Sequence, residues 1–254
     1  MILMTSLSLI FSCGKSGDGK LGENAQASQR PSATAYPEDA RGGNTCLLGY
    51  ADNLDQLLTV ELASEISGMP AEKSEKKYFD KMKNTAYHNV EYNWKNGRTR
   101  NMKELGMDMV LPVKDLVKLD GIKPRSMKDF KNAHKAPTDE QLSHLDAKVD
   151  EALDKKSGNE EINEKVEKLD KMNVDKSTQK SVAKTMTGAI AKITRAYSDV
   201  TGIGDAASWN SFENRLYVLD KGVELSITVD LGDDANVNKE KAINLANRLL
   251  KKCK

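Results

Sequence analysis

The chain has 254 residues, enough for one large domain or two small ones. Charged residues make up 30%, hydrophobic residues 38% and aromatics only 5%, so part of the chain is expected to pack no core. A net charge of +1 gives no global pull toward nucleic acid or membrane, and no Lys/Arg block is dense or aromatic-interleaved enough to argue for nucleic acid. The charge is uneven along the chain. Residues 71–136 carry 16 Lys/Arg against 9 Asp/Glu, and residues 138–180 carry 8 Lys against 12 Asp/Glu. Either these segments face each other or solvent, or the first offers a basic face to an anionic partner such as lipid headgroups or acidic glycan.

The first eleven residues are almost wholly apolar or hydroxylic, and far too short a run to span a bilayer. They suit a signal-peptide core. The run Ile10-Phe11-Ser12-Cys13 resembles a bacterial lipobox. The resemblance implies removal of residues 1–12 and acylation of Cys13, and hence a membrane partner through the N-terminal lipid. Phe11 is bulkier than usual at its position, as happens in lipoproteins of the Bacteroidota. No Lys or Arg precedes the apolar core, which leaves open a start upstream. Gly14-Lys15-Ser16 mimics the end of a phosphate-binding loop, but Leu9 stands where that loop needs its first Gly. Residues 13–45 then read as the lipidated Cys and a flexible tether, with Leu21 its only large aliphatic residue. Its mean span is about 30 Å.

The folded part is expected to begin at Cys46. Thr59 is a candidate N-cap for a helix carrying Val60, Ala63 and Ile66, stopped by Gly68 and Pro70. Residues 71–86 read as a second helix or a loop. Val90, Tyr92 and Trp94 alternate as a strand, with Asn96-Gly97 as a hairpin turn. Residues 107–113 are a possible strand, with Pro112 at an edge or an end. Residues 114–137 are left without an element. From Thr138 the period becomes helical. Thr138–Gln141 fits a capping box, and Leu142, Leu145, Val149 and Leu153 mark one face of a helix that ends by Gly158. A second helix shows Ile162, Val166, Leu169 and Met172, and a third Val182, Met186, Ile190 and Ile193. These narrow stripes predict a helical insertion over about 138–195, packed on one side. Near the C-terminus two strands flank Asp220-Lys221-Gly222. Val223, Leu225, Ile227 and Val229 alternate with Glu224, Ser226, Thr228 and Asp230, which predicts one buried and one solvated face. A last helix turns Ala242, Leu245, Ala246 and Leu249 inward.

The phrases LLTVELASEISGMP, YNWKNGR, VTGIGDAASWN and NRLYVLDKGVELSITVDL are similar to those of small bacterial lipoprotein domains of unknown function. Related domains have an antiparallel sheet covered by helices, in the manner of the photosystem-associated PsbP fold. The resemblance covers 46–113 and 195–254. It implies an α+β fold, a cell-envelope location on a bacterial membrane (the outer one, facing the periplasm or the surface) and no established catalytic residues. In such domains a Cys beside the first helix and one near the C-terminus can pair, and Cys46 and Cys253 fit that pattern in an oxidising compartment.

No CxxC pair exists for a zinc site. Gly202-Ile203-Gly204-Asp205 lacks the third Gly of a dinucleotide loop and reads as a turn positioning Trp209. Asp234, Asn236 and Asn238 mimic calcium ligands, but Lys239 and Leu245 stand where the loop needs Gly and Glu, so a polar turn with an Asn helix cap is expected. His88, His134 and His144 match no metal or nucleophile signature and read as surface residues, while Tyr92, Trp94 and Trp209 read as core. No residue set implies a cofactor, a metal or a catalytic centre. The expectation is a lipid-anchored envelope protein that binds an anionic ligand or a protein partner without catalysis. The alternatives are an envelope enzyme whose site is assembled from sequence-distant residues, or a structural envelope protein associating through the 138–195 helices.

Overall fold

A Thr ahead of an apolar-periodic run should cap a helix. Thr59 Oγ1 accepts from Leu62 N at 3.4 Å and opens α3 (Val60–Ser67). Gly68 closes it at φ +77°, a left-handed stop that needs no Cβ. Two short helices precede it, α1 (Thr45–Gly49) and α2 (Leu54–Leu57). The computed structural model describes residues 43–104, 107–154 and 158–254. The leader, Cys13 and the expected tether through residue 42 lie outside them. Two residues ahead of Cys46, Asn44 is buried, caps α1 and donates to Asp220 at 2.6 Å.

The charged run after Pro70 is a strand rather than a second helix or a loop. After one 3-10 turn (Ala71–Lys73), β1 (Glu75–Phe79) pairs antiparallel with β2 (Asn89–Trp94). It is an edge strand, so its lysines reach solvent and neighbouring acids. Lys76 meets Asp55 at 2.7 Å and Lys77 meets Glu91 at 3.3 Å. Asn96-Gly97 is likewise no hairpin turn. β3 (Thr99–Glu104) pairs with β4 (Met107–Pro112) in a separate two-stranded ladder, and β2 pairs instead with β5 (Asp115–Pro124). The ion pairs of Arg98 explain the detour. Its guanidinium reaches Asp115 at 2.8 Å and Asp230 at 3.0 Å, and so draws the chain across the end of the sheet.

The remaining elements are α4 (Met127–Ala133), α5 (Asp139–Leu153), α6 (Glu160–Lys171), α7 (Lys176–Arg195), β6 (Tyr197–Val200), β7 (Ala206–Asn210), β8 (Arg215–Asp220), β9 (Val223–Asp230) and α8 (Ala235–Lys251). The main sheet has seven antiparallel strands in the order β1-β2-β5-β9-β8-β7-β6. The fold is therefore α+β. β5, in a stretch where the sequence reading places no element, lies inside the sheet between β2 and β9. Lys221 and Gly222 take positive φ at the β8–β9 turn, the conformation that a tight hairpin requires.

At the β5 bulge between Asp120 and Lys123, the 3-10 turn Thr85–Tyr87 presses on the strand. A Cβ on Gly121 would lie 2.3 Å from the Ala86 carbonyl oxygen. Backbone cannot yield there as a side chain can. Gly121→Ala should lower stability by about 1–3 kcal/mol, read as a drop in denaturant midpoint at unchanged m-value. An unchanged midpoint would mean the turn can move away freely.

One sheet face carries the main core. Val90, Tyr92, Trp94, Val117, Leu119, Leu225, Ile227 and Val229 meet the leucines of α1–α3 and the inward residues of α8. Ala242, Leu245, Ala246 and Leu249 are fully buried, as expected for the last helix. Each such leucine contributes roughly 1.5–3 kcal/mol relative to an exposed one. Tyr92 and Trp94 keep their polar atoms satisfied, donating to the Leu58 and Pro70 carbonyls at 3.1 and 3.0 Å.

The helical insertion is present and differs in detail. Thr138 and Gln141 form the reciprocal capping box, and α5 ends at Leu153, before Gly158. α7 does not bury its stripe. Val182, Met186 and Ile190 are 52%, 44% and 36% exposed. The groove between α5 and α7 is lined instead by Leu142, Thr187, Gly188 and Ala191 together with the charged Asp150, Lys184 and Arg195. Among the described residues, the ion pairs of the basic segment do not reach the acidic one. Lys114, Lys118, Lys123 and Arg98 pair with Glu75, Asp120, Glu224 and Asp115, all outside 138–180.

Candidate functional site

The alternation in β9 predicts a solvated polar face, and the structure corrects it. Glu224 is 2% exposed, Ser226 7% and Thr228 6%. Two layers account for the burial. Short α4, capped by Ser126 Oγ accepting from Asp129 N at 3.0 Å, lies on this face through Phe130. Long polar side chains from neighbouring strands fill the rest: Arg215 donates to Thr228 Oγ1 at 3.0 Å, and Ser226 to Asp120 at 3.5 Å.

Glu224 is the centre of a buried charge cluster. Arg125 Nη1 donates to its Oε2 at 2.8 Å, Lys123 Nζ lies 3.1 Å from Oε1, and His134 Nε2 lies 3.3 Å from Oε2. Burial pushes the carboxyl up. The hydrogen bond from His134 and the charges of Lys123 and Arg125 outweigh it and hold Glu224 down at about 2. Arg125 Nη1 is also 3.3 Å from His134 Nε2. The carboxylate only accepts, so Nε2–H is the arrangement that serves Glu224, and the Arg125 contact with Nε2 is then not a hydrogen bond. Nδ1 is buried without a hydrogen-bond partner among the described residues.

His134 is the C-cap of α4 and sits in an aromatic box. Its ring stacks on Tyr217 with centroids 4.0 Å apart, meets Phe130 edge-on at 4.8 Å and lies 5.7 Å from Tyr197. The Tyr217 hydroxyl donates to Glu213 at 2.8 Å, and burial raises its pKa. Beside this box opens a cleft of about 370 Å³ between α4 and strands β6–β7, with Lys131, Lys135, His134, Ser208 and Asp199 on its walls.

Ser208, His134 and Glu224 have the residue types of a hydrolytic triad but not its wiring. Ser208 Oγ donates to the main-chain oxygen of His134 at 2.8 Å, while the imidazole Nε2 is turned to the glutamate. A carboxylate held near 2 and tied to two cations is also a poor proton acceptor at neutral pH. The cluster can clamp α4 to the sheet. The cleft can receive a ligand whose charge suits its two lysines.

The sequence-named residues fall elsewhere. Cys46 and Cys253 form a disulfide with Cα atoms 5.4 Å apart, remote from this cluster in the chain. Cys13 lies outside the described residues. His88 and His134 are 5% and 7% exposed, so reading them as surface histidines is wrong; His144 is exposed. His88 is buried because its Nε2 reaches the Met82 carbonyl at 2.7 Å. Asp234, rather than an Asn, caps α8, and Asn238 binds the Leu231 amide and the Gly232 carbonyl at 3.1 and 2.9 Å. The Gly202–Asp205 segment is a turn, with Gly204 at φ +54° against the Leu219 carbonyl and Trp209 3% exposed. Among the described residues no group of three His, Cys, Asp or Glu is placed to hold a metal ion, and no helix is long and apolar enough to cross a membrane. Glu224 had one sequence signal, an acid inside a Val/Leu-rich strand. His134 and Arg125 had none. No family model, curated protein or solved structure matches this chain.

Proposed function

We propose that the chain is a lipid-anchored protein of the bacterial cell envelope, held at the membrane through Cys13, whose α+β domain works by binding. The observation that carries this reading is the Cys46–Cys253 disulfide, since such bonds persist in oxidising compartments outside the cytoplasm. The lipobox-like run before Cys13 supports it from the sequence side. The ligand is an anionic envelope component or an acidic protein segment, received in the cleft between α4 and β6–β7. Lys131 and Lys135 supply its positive charge there. The clamped state of Glu224 favours binding over catalysis.

Mass spectrometry of the mature protein should find an acylated N-terminal Cys13, and an intact residue 1 in membrane-extracted protein would end the anchoring reading. Lys131→Glu with Lys135→Glu should abolish capture of the ligand from envelope extract while leaving the fold intact, because both side chains are exposed. Equal capture by wild type and variant would remove the cleft from consideration.

A further inference from the structure

The cleft between α4 and β6–β7 carries charge of both signs. Lys131 on α4, Lys135 just after it and Asp199 on β6 all line it. All three are exposed, and none makes an ion pair among the described residues. Lys114, Lys118 and Lys123 differ, for each has an acid at 2.9, 2.7 and 3.1 Å respectively. Two cations and one anion thus share one cleft without neutralising each other. Phe130 and Ala207 add apolar surface to its walls. His134 belongs to the same lining and is 7% exposed. With Nε2–H turned to Glu224, its Nδ1 is an acceptor, and it has no hydrogen-bond partner among the described residues.

We propose that the cleft binds an amino-dicarboxylate: an acidic amino acid, free or at the amino end of a peptide. The inference rests on the reading of this cleft as the binding site and narrows its ligand. The two carboxylates meet Lys131 and Lys135, and the ammonium meets Asp199. His134 Nδ1 gives the lining a second acceptor for such a donor. A ligand with acid groups alone would meet Asp199 as a like charge, and a ligand with amines alone would meet two lysines. The ligand's methylenes lie against Phe130 and Ala207. A volume of about 370 Å³ stands at the lower end of the range for ligand pockets, about 300–1,000 Å³, as a ligand this small requires.

The test is an NMR titration of the full chain with glutamate, glutarate and 4-aminobutyrate, following the amides of residues 130–135 and 199–208. Glutarate lacks the amine, and 4-aminobutyrate lacks one acid group. Glutamate should bind about fivefold tighter than either, the scale of one exposed ion pair. Asp199→Asn should make glutamate and glutarate equal. Lys131→Gln with Lys135→Gln should remove the shifts from both. The dipeptide glutamyl-alanine, run beside glutamate, tells a peptide end from a free amino acid by which of the two binds tighter. Glutarate binding as tightly as glutamate overturns the inference and leaves an anion-binding cleft standing. Equal binding of 4-aminobutyrate and glutamate overturns it as well. So does an absence of cleft shifts with every compound, and capture from envelope extract then decides on the cleft separately.

Discussion

Replacing Cys46 and Cys253 together with Ser should lower the unfolding free energy by about 5 kcal/mol, the chain-entropy value for a closed loop of this size. The bond joins residues 207 apart in sequence, so it removes conformations from the unfolded chain far more than it adds contacts to the folded one. The folded geometry should survive its loss, because noncovalent ties hold the same two ends. Lys252 Nζ donates to the Leu57 carbonyl at 2.7 Å, Lys241 Nζ to the Ile66 carbonyl at 3.0 Å, and Arg248 pairs with Glu65. The double variant should therefore keep its circular dichroism spectrum at low temperature and unfold roughly 10–20 °C earlier, given the 2–4 °C per kcal/mol usual for domains of this size. Thermal scans of the wild type with and without reductant provide the matching comparison. Coincident midpoints for oxidised and reduced protein would show that the bridge closes nothing the native contacts do not already hold.

Local signals in the sequence transmitted well wherever one residue decides one feature. Thr59, Gly68, the Thr138–Gln141 box and Lys221-Gly222 each act on their own backbone, and each sits where it was placed. The alternation of Val223, Leu225, Ile227 and Val229 identified β9 and its core face for the same reason. Strand partners are not local. The Asn96-Gly97 pair carries a hairpin signal, yet Arg98 is captured by Asp115 and Asp230, and the latter lies 132 positions away. β5 itself was missed although Val117 and Leu119 alternate with Lys118 and Asp120. A charged residue at every second position does not look like an interior strand until one knows that Lys118 pairs with Asp120 at 2.7 Å and that Arg215 reaches Asp120 at 3.6 Å. The cluster around Glu224 was hidden most completely. Its histidine comes 90 positions earlier, from a segment with no assigned element, and a buried histidine looks no different in sequence from an exposed one.

Glu224→Gln should cost about 3 kcal/mol at neutral pH, the free energy equivalent of a carboxyl held at about 2 instead of its ordinary 4.5. The sign fixes the pH window. Because the folded-state pKa is depressed, the contribution is complete above about 4.5, where the unfolded carboxyl is also ionised. It drains away as the pH falls toward 2, since the unfolded chain then takes up a proton that the folded one refuses. The gap between wild type and variant should therefore be widest at neutral pH and close progressively through that window. The same change leaves Arg125 and Lys123 beside a neutral amide, so α4 loses the charge that clamps it to β9, and amides from Met127 to His134 should exchange faster than those of α8. Lys131 and Lys135 ride on α4 and the residues just after it, so loosening the helix should also weaken capture at the neighbouring cleft without touching either lysine. A stability gap that stays constant down to pH 2 would mean that Glu224 acts by shape and hydrogen bonding alone, and the electrostatic account of the clamp would fall.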